Sequence, residues 1–257
     1  MIASGKGGTG KTTTTANLSV ALALSGHLTV AVDMDMGLRN LDIALGIQDN
    51  VVYDICDVID GNCTIDEALI KHSEYENLYV LSAPQTKKTE SFNQEEFLKV
   101  LQTLKNRFEF CLIDAPAGMG EGFTYSLEGC DSVIIVAVPE NTSLRDADRV
   151  ISEIDADKEI HLILNRIRPD LIDKGIMMSA DDCVDMLSVP IIGIVAEDEA
   201  VILLSLAGKL CVSDINTKSG RAFFNIARRL MGETVGIMDF QEKKGFLKRL
   251  KQLFIAD

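Results

Sequence analysis

The stretch Ser4-Gly5-Lys6-Gly7-Gly8-Thr9-Gly10-Lys11-Thr12-Thr13 constrains the fold of this chain more than any other. It satisfies Gly-x-x-x-x-Gly-Lys-Thr, with Gly5, Gly10, Lys11 and Thr12 in the fixed positions. Its glycines let backbone N–H groups converge on anionic oxygens, and the helix that follows turns its positive end toward them. Lys11 supplies a cation, and the Thr12 hydroxyl can ligate Mg²⁺. Such a loop belongs between a strand and a helix, and helical apolar spacing does begin directly after it, over residues 12–25.

The rest of the chain repeats that alternation. Short continuous apolar runs at 28–32, 78–82, 110–113, 132–138, 160–164 and 190–195 predict strands. Continuous rather than alternating apolarity marks strands covered on both faces, the habit of a parallel sheet. Helical spacing over 94–106, 144–154, 180–187 and 221–231 supplies the covering layers. The expected fold is α/β: a doubly wound, mostly parallel sheet with helices on both faces. One domain is expected over residues 1–239, followed by a basic linker and tail over 240–257. The first strand has only Met1-Ile2-Ala3 before the loop. A central strand that short is expected to leave its neighbours with unpaired backbone and exposed apolar surface, which suggests a longer natural start.

Acids stand at the carboxyl ends of two of these strands. Asp33 and Asp35, in Val32-Asp33-Met34-Asp35, fall where open α/β sheets bind their ligands. Phe110-Cys111-Leu112-Ile113-Asp114 is an apolar strand ending in an acid, the Walker B pattern, and Asp114 is placed to hold Mg²⁺ through water. Gly118 fits a loop whose backbone senses a terminal phosphate.

Lys6 exceeds the general motif, and Gly-Lys-Gly-Gly-Thr-Gly-Lys-Thr-Thr resembles the deviant Walker A loop of the MinD/ParA family of P-loop ATPases. The resemblance implies ATP and Mg²⁺ as cofactors, with ATP contacts from Gly5, Lys6, Gly7, Gly8, Thr9, Gly10, Lys11, Thr12, Thr13 and Asn165. It implies that Lys6 reaches the phosphates held by a partner subunit, so that ATP favours a homodimer. It also implies that Lys6, Lys11 and Asp35 are catalytic, Asp35 handling the attacking water, while Thr12, Asp33 and Asp114 serve the metal. The amide of Asn165, at the end of the strand 160–164, would read adenine as donor and acceptor. One departure stands at Ala196-Glu197-Asp198, where the family often carries proline before the acids, so base contacts from Glu197 or Asp198 are not assigned.

Stretches beyond the nucleotide motifs, including Gly37-Leu38-Arg39-Asn40-Leu41-Asp42 and Leu144-Arg145-Asp146-Ala147-Asp148-Arg149, resemble the branch of the family that places the division site. That branch implies a MinC-like division inhibitor and a MinE-like or DivIVA-type topological regulator as partners. A flagellar-number regulator shares the same core, and a ParA-like partition ATPase binding DNA is the more distant alternative.

Charge separates these. The formal net charge is −14, from 25 basic and 39 acidic residues, yet the chain ends in KKGFLKRLKQLFIAD. Setting aside the five cations between Lys243 and Lys251 takes the remainder from −14 to −19, which disfavours broad attraction to nucleic acid. With Phe246 at zero and about 100° per residue, Leu250, Leu253, Phe254 and Leu247 form one stripe. Lys248, Arg249 and Lys251 flank it. This basic amphipathic pattern predicts a helix lying on an anionic membrane surface, and so a protein at the inner face of the cell membrane. No signal segment and no apolar run of about 20 residues, the length of a membrane span, occurs. The six cysteines form no CxxC pair and read as buried thiols, which speaks against an iron–sulfur carrier.

Overall fold

The computed structural model describes residues 1–85 and 93–237. Among the described residues eight strands form one sheet: β1 (Ile2–Ala3), β2 (Thr29–Asp33), β3 (Ile70–Lys71), β4 (Leu78–Leu81), β5 (Phe110–Asp114), β6 (Ser132–Ala137), β7 (Glu159–Ile167) and β8 (Ile191–Ala196). Their order is β3-β4-β2-β5-β1-β6-β7-β8, and every pairing except β3 with β4 is parallel. The doubly wound sheet expected from the apolar runs is present, with one short antiparallel strand at its edge.

Alternate residues of each strand feed opposite layers, as the two-residue strand period requires. Val30, Val32, Ile113, Val133 and Ile135 join Phe97, Leu101 and Leu104 of the helix Gln94–Arg107. Ala31, Leu112, Ile134, Val136 and Ile163 face the other way, onto Leu18 and Leu22 of the helix Lys11–Leu24 and Phe223 and Ile226 of the helix Lys218–Leu230. Both sheet faces are therefore dry. Phe97 and Phe223 are almost wholly buried, and truncating either to alanine would cost about 3–5 kcal/mol.

Two of the longer helices start at side-chain caps. Asn93 accepts from the backbone N–H groups of Glu95 and Glu96, and Thr217 accepts from Gly220, starting the helix Lys218–Leu230 three residues before the position apolar spacing predicts. The helix Glu121–Gly129 lies outside the segments that apolar spacing predicts, and it contains two glycines. Both are packing residues: a Cβ on Gly122 would stand 3.0 Å from Pro116, and one on Gly129 would meet Leu101.

β1 is indeed short, yet it is stitched in at the centre. The Ala115 N–H donates to Ile2 O (3.1 Å), the Ile134 N–H to Met1 O (2.8 Å), and the Met1 amine to Ser132 O (2.8 Å). Beside Met1 lies a cavity of about 500 Å³ bordered by Phe110, Cys111, Leu112 and Ser132.

Candidate nucleotide site

The sheet order sets β2, β5 and β1 side by side, so the loops at their carboxyl ends open on one rim. The phosphate loop joins β1 to the helix Lys11–Leu24. Gly8 and Gly10 take positive φ of 83° and 94°, a conformation that side-chain-bearing residues adopt at a cost. Gly10 stands as the left-handed N-cap of the helix. Gly5 has no room for a Cβ, which would strike the backbone of Asp146.

Three loop and helix side chains converge on one acid. Lys11 Nζ donates to Asp114 Oδ1 at 2.9 Å, Thr15 Oγ1 to the same oxygen at 3.0 Å, and Thr12 Oγ1 to Asp114 Oδ2 at 2.7 Å. Asp114 is fully buried and Lys11 is 7% exposed. Thr15 was missed by motif reading, although its place three residues after Thr12 puts it on the same helical face.

Asp33 sits opposite Asp114 in the β2–β5 register. Burial first, and then the charge of Asp114, push its carboxyl up to about 7. Its Oδ1 accepts the Asp35 N–H (2.8 Å) and its Oδ2 the Leu41 N–H (3.2 Å). Asp35 itself lines a cavity of about 360 Å³ with Lys6, Lys11, Thr12, Thr13 and Asn40. Burial raises its carboxyl most, with Lys11 opposing and Asp114 adding to the rise. Gly118, at φ 85°, donates its N–H to Ser4 O at 3.4 Å, which closes the loop after β5 against the phosphate loop.

Asn165, 8% exposed, donates from Nδ2 to Thr9 O (2.8 Å) and accepts the Arg166 N–H at Oδ1 (2.9 Å). Its amide thus straps β7 to the phosphate loop while also bordering a neighbouring cavity of about 230 Å³, with Gly10, Thr13 and Glu197. Arg166, which motif reading passed over, holds a left-handed φ of 56° and lines both cavities. Lys6 is exposed, unlike Lys11, and borders a third opening with Gly7, Glu140 and Arg168. The membrane-facing residues expected at Phe246, Leu247, Lys248, Arg249, Leu250, Lys251, Leu253 and Phe254 lie outside the described residues, as does the expected boundary at 239.

The donor set suits magnesium. Among the described residues no three or more His, Cys, Asp or Glu side chains cluster as a metal cage. What the site offers is oxygen, from Thr12 and from the buried Asp114, and Mg²⁺ is commonly held by one or two carboxylates together with substrate phosphates.

A phosphate loop at the central strand of a doubly wound sheet, with acids from two neighbouring strands on the same rim, defines a P-loop nucleoside triphosphatase. A family profile described as an AAA domain matches residues 1–166. The septum site-determining protein MinD of Helicobacter pylori is 40% identical over 262 residues, covering 98% of this chain and 97% of that protein. The MinC:MinD cell division protein complex of Aquifex aeolicus superposes with a TM-score of 0.87 at 37% identity, covering 94% of this chain and 98% of that one. MinD of Pyrococcus horikoshii complexed with Mg-ADP gives 0.75 at 30% identity, covering 89% and 93%. The chain belongs to the MinD family, within the MinD/ParA group of P-loop ATPases of cell division.

Proposed function

We propose that this chain is a Mg²⁺-dependent ATPase that dimerises when it binds ATP, docks on the inner face of the cell membrane through its C-terminal segment, and recruits a MinC-like inhibitor to control septum placement. The observation that carries the reading is the division of labour between the two lysines of the phosphate loop. Lys11 is buried on Asp114, committed to its own site, whereas Lys6 is exposed beside an opening and free to serve a second subunit. A cation supplied across an interface stabilises the charge that develops on a transferring phosphoryl group.

Within the site, Lys11 and Lys6 neutralise phosphate charge while Gly5 to Thr13 offer backbone N–H groups. Asn165 holds the loop and borders the space proposed for the base. Asp35 orients the attacking water, and its raised carboxyl makes it the better acceptor of the water proton as ADP and phosphate form. Thr12 and Asp114 would hold Mg²⁺, which when bound would supply positive charge against that of the phosphates.

The membrane half of the reading rests on the sequence of residues 243–257. Among the described residues no helix is long and apolar enough to cross a membrane. A single short amphipathic segment binds weakly, because helix ordering offsets much of the gain. Two on one particle gain on the order of 10² to 10⁴ in avidity. Dimerisation then becomes a membrane switch. The Aquifex complex supports the MinC-like partner, and a MinE-like or DivIVA-type regulator is the further partner proposed from the family.

Sedimentation with anionic vesicles tests the reading. The parent should pellet with ATP and not with ADP, and should hydrolyse ATP faster on vesicles. Lys6→Ala should bind ATP yet stay in the supernatant. Pelleting of Lys6→Ala with ATP as complete as that of the parent would sink the proposal.

A further inference from the structure

The family resemblance groups Asp33 with Thr12 and Asp114 as residues serving the metal, and the geometry points to a different task. We infer that Asp33 is a positioning residue: its carboxylate straps the two ends of the loop 35–41 together and so sets Asp35, and it does not hold magnesium. The inference rests on the reading above, in which Asp35 handles the attacking water.

Three observations carry it. Asp33 is fully buried at the last position of β2. Each of its oxygens already accepts a backbone N–H, Oδ1 from Asp35 and Oδ2 from Leu41, eight residues further on. These two donors bracket the loop. Between them the chain turns back on itself: the N–H groups of Leu38 and Arg39 donate to Asp35 O (3.2 and 3.3 Å), and the Gly37 N–H donates to Pro84 O (2.9 Å). Arg39 and Gly37 hold left-handed φ of 48° and 93°, and Arg39 grips Asp42 at 2.6 Å. The Asp33 carboxylate takes the N–H groups at both ends of this turn, Asp35 and Leu41.

Asp114 makes the contrast. Its donors are side chains, Lys11, Thr12 and Thr15, which can turn to phosphate or metal when these arrive. Those of Asp33 are main-chain amides, and releasing them to a cation would leave buried N–H groups unpaired. Turning Asp33 outward would unlatch the loop that carries Asp35.

The test separates strap from ligand. Asp33→Asn keeps the shape and one acceptor but points an amide donor at the second N–H. In the full-length variant, ATP turnover should fall by roughly 10- to 100-fold, while KM for ATP and the Mg²⁺ concentration giving half-maximal nucleotide binding stay within about twofold. Hydrogen exchange of the Asp35 and Leu41 amides should accelerate at least tenfold. A tenfold rise in that Mg²⁺ concentration, with turnover restored by excess Mg²⁺, would overturn the inference. The parent supplies a control that needs no variant. Its Asp35 and Leu41 amides should keep their protection within about twofold when Mg²⁺ and ADP are added, and a tenfold loss on adding them would show the carboxylate turning to the metal. If Asp35→Asn left turnover intact, the assigned role of Asp35 would fall while the exchange data still judged the strap.

Discussion

Lys11 and Asp114 stand 103 residues apart in the chain and meet with Nζ 2.9 Å from Oδ1, both shielded from water. Thr12 and Thr15 complete the acid's coordination. This one carboxylate therefore sets the resting position of the lysine and of both threonines.

Lys11→Ala removes the cation and leaves Asp114 with two hydroxyl donors. ATP turnover should fall by about 100-fold or more, the scale on which a single preorganised charge-stabilising group acts. Single-turnover measurement with radiolabelled ATP checks it, and turnover within threefold of the parent would refute the assignment.

Asn165→Ala takes away the donor that Thr9 O uses in a buried setting. Leaving that carbonyl unpaired should cost about 1–3 kcal/mol, or about 2–4 °C of melting temperature for each kcal/mol in a chain of this size. Calorimetry of the nucleotide-free protein reads this directly. Unchanged melting would mean that the strap contributes nothing to holding the loop.

In the tail, Lys248→Gln combined with Arg249→Gln removes two cations, each contributing about 1 kcal/mol near an anionic leaflet. Vesicle affinity should drop about 30-fold on anionic lipid. On zwitterionic lipid it should barely change. Equal losses on both lipids would assign the segment to some task other than headgroup recognition.

Burial pushes the thiols of Cys111 and Cys211 up to about 11 and that of Cys183 up to about 12. At pH 8 their thiolate fraction is roughly 100-fold or more below that of a free thiol, and thiolate is the reactive form. Alkylation of the native protein followed by peptide mass spectrometry should therefore label these three far more slowly than denatured protein. Labelling at the denatured rate would contradict the raised thiols.

Much of the site was legible because its chemistry is written in short contiguous runs. Gly5 to Thr13, Asp33 with Asp35, and Asp114 each end or follow a strand whose apolarity is continuous, and the sheet order then brings them together without further information. Thr15 was hidden because its partner lies 99 residues away, and no local spacing reports that. Arg166 was hidden for another reason: a left-handed backbone at a residue other than glycine has no signature in apolar spacing, and here the Asn165 side chain accepts its N–H. The helix Glu199–Leu206 gave no stripe to find, being apolar around its circumference, with Ile202, Leu203 and Leu206 largely exposed. The helix Glu121–Gly129 concealed itself behind glycines that serve close packing. For Thr15 and for Gly129 the missing information was a neighbour remote in sequence.

The parallel sheet leaves the molecule with two unlike rims. Every element of the nucleotide site emerges at the carboxyl ends of the strands, while the chain enters them at the other rim, through segments such as Ser25–Leu28 before β2 and the exposed Asp155–Asp157 before β7. That second rim is a place for instrumentation: a fluorophore or short reporter inserted at Ala156 would ride on the same rigid sheet without entering the pocket.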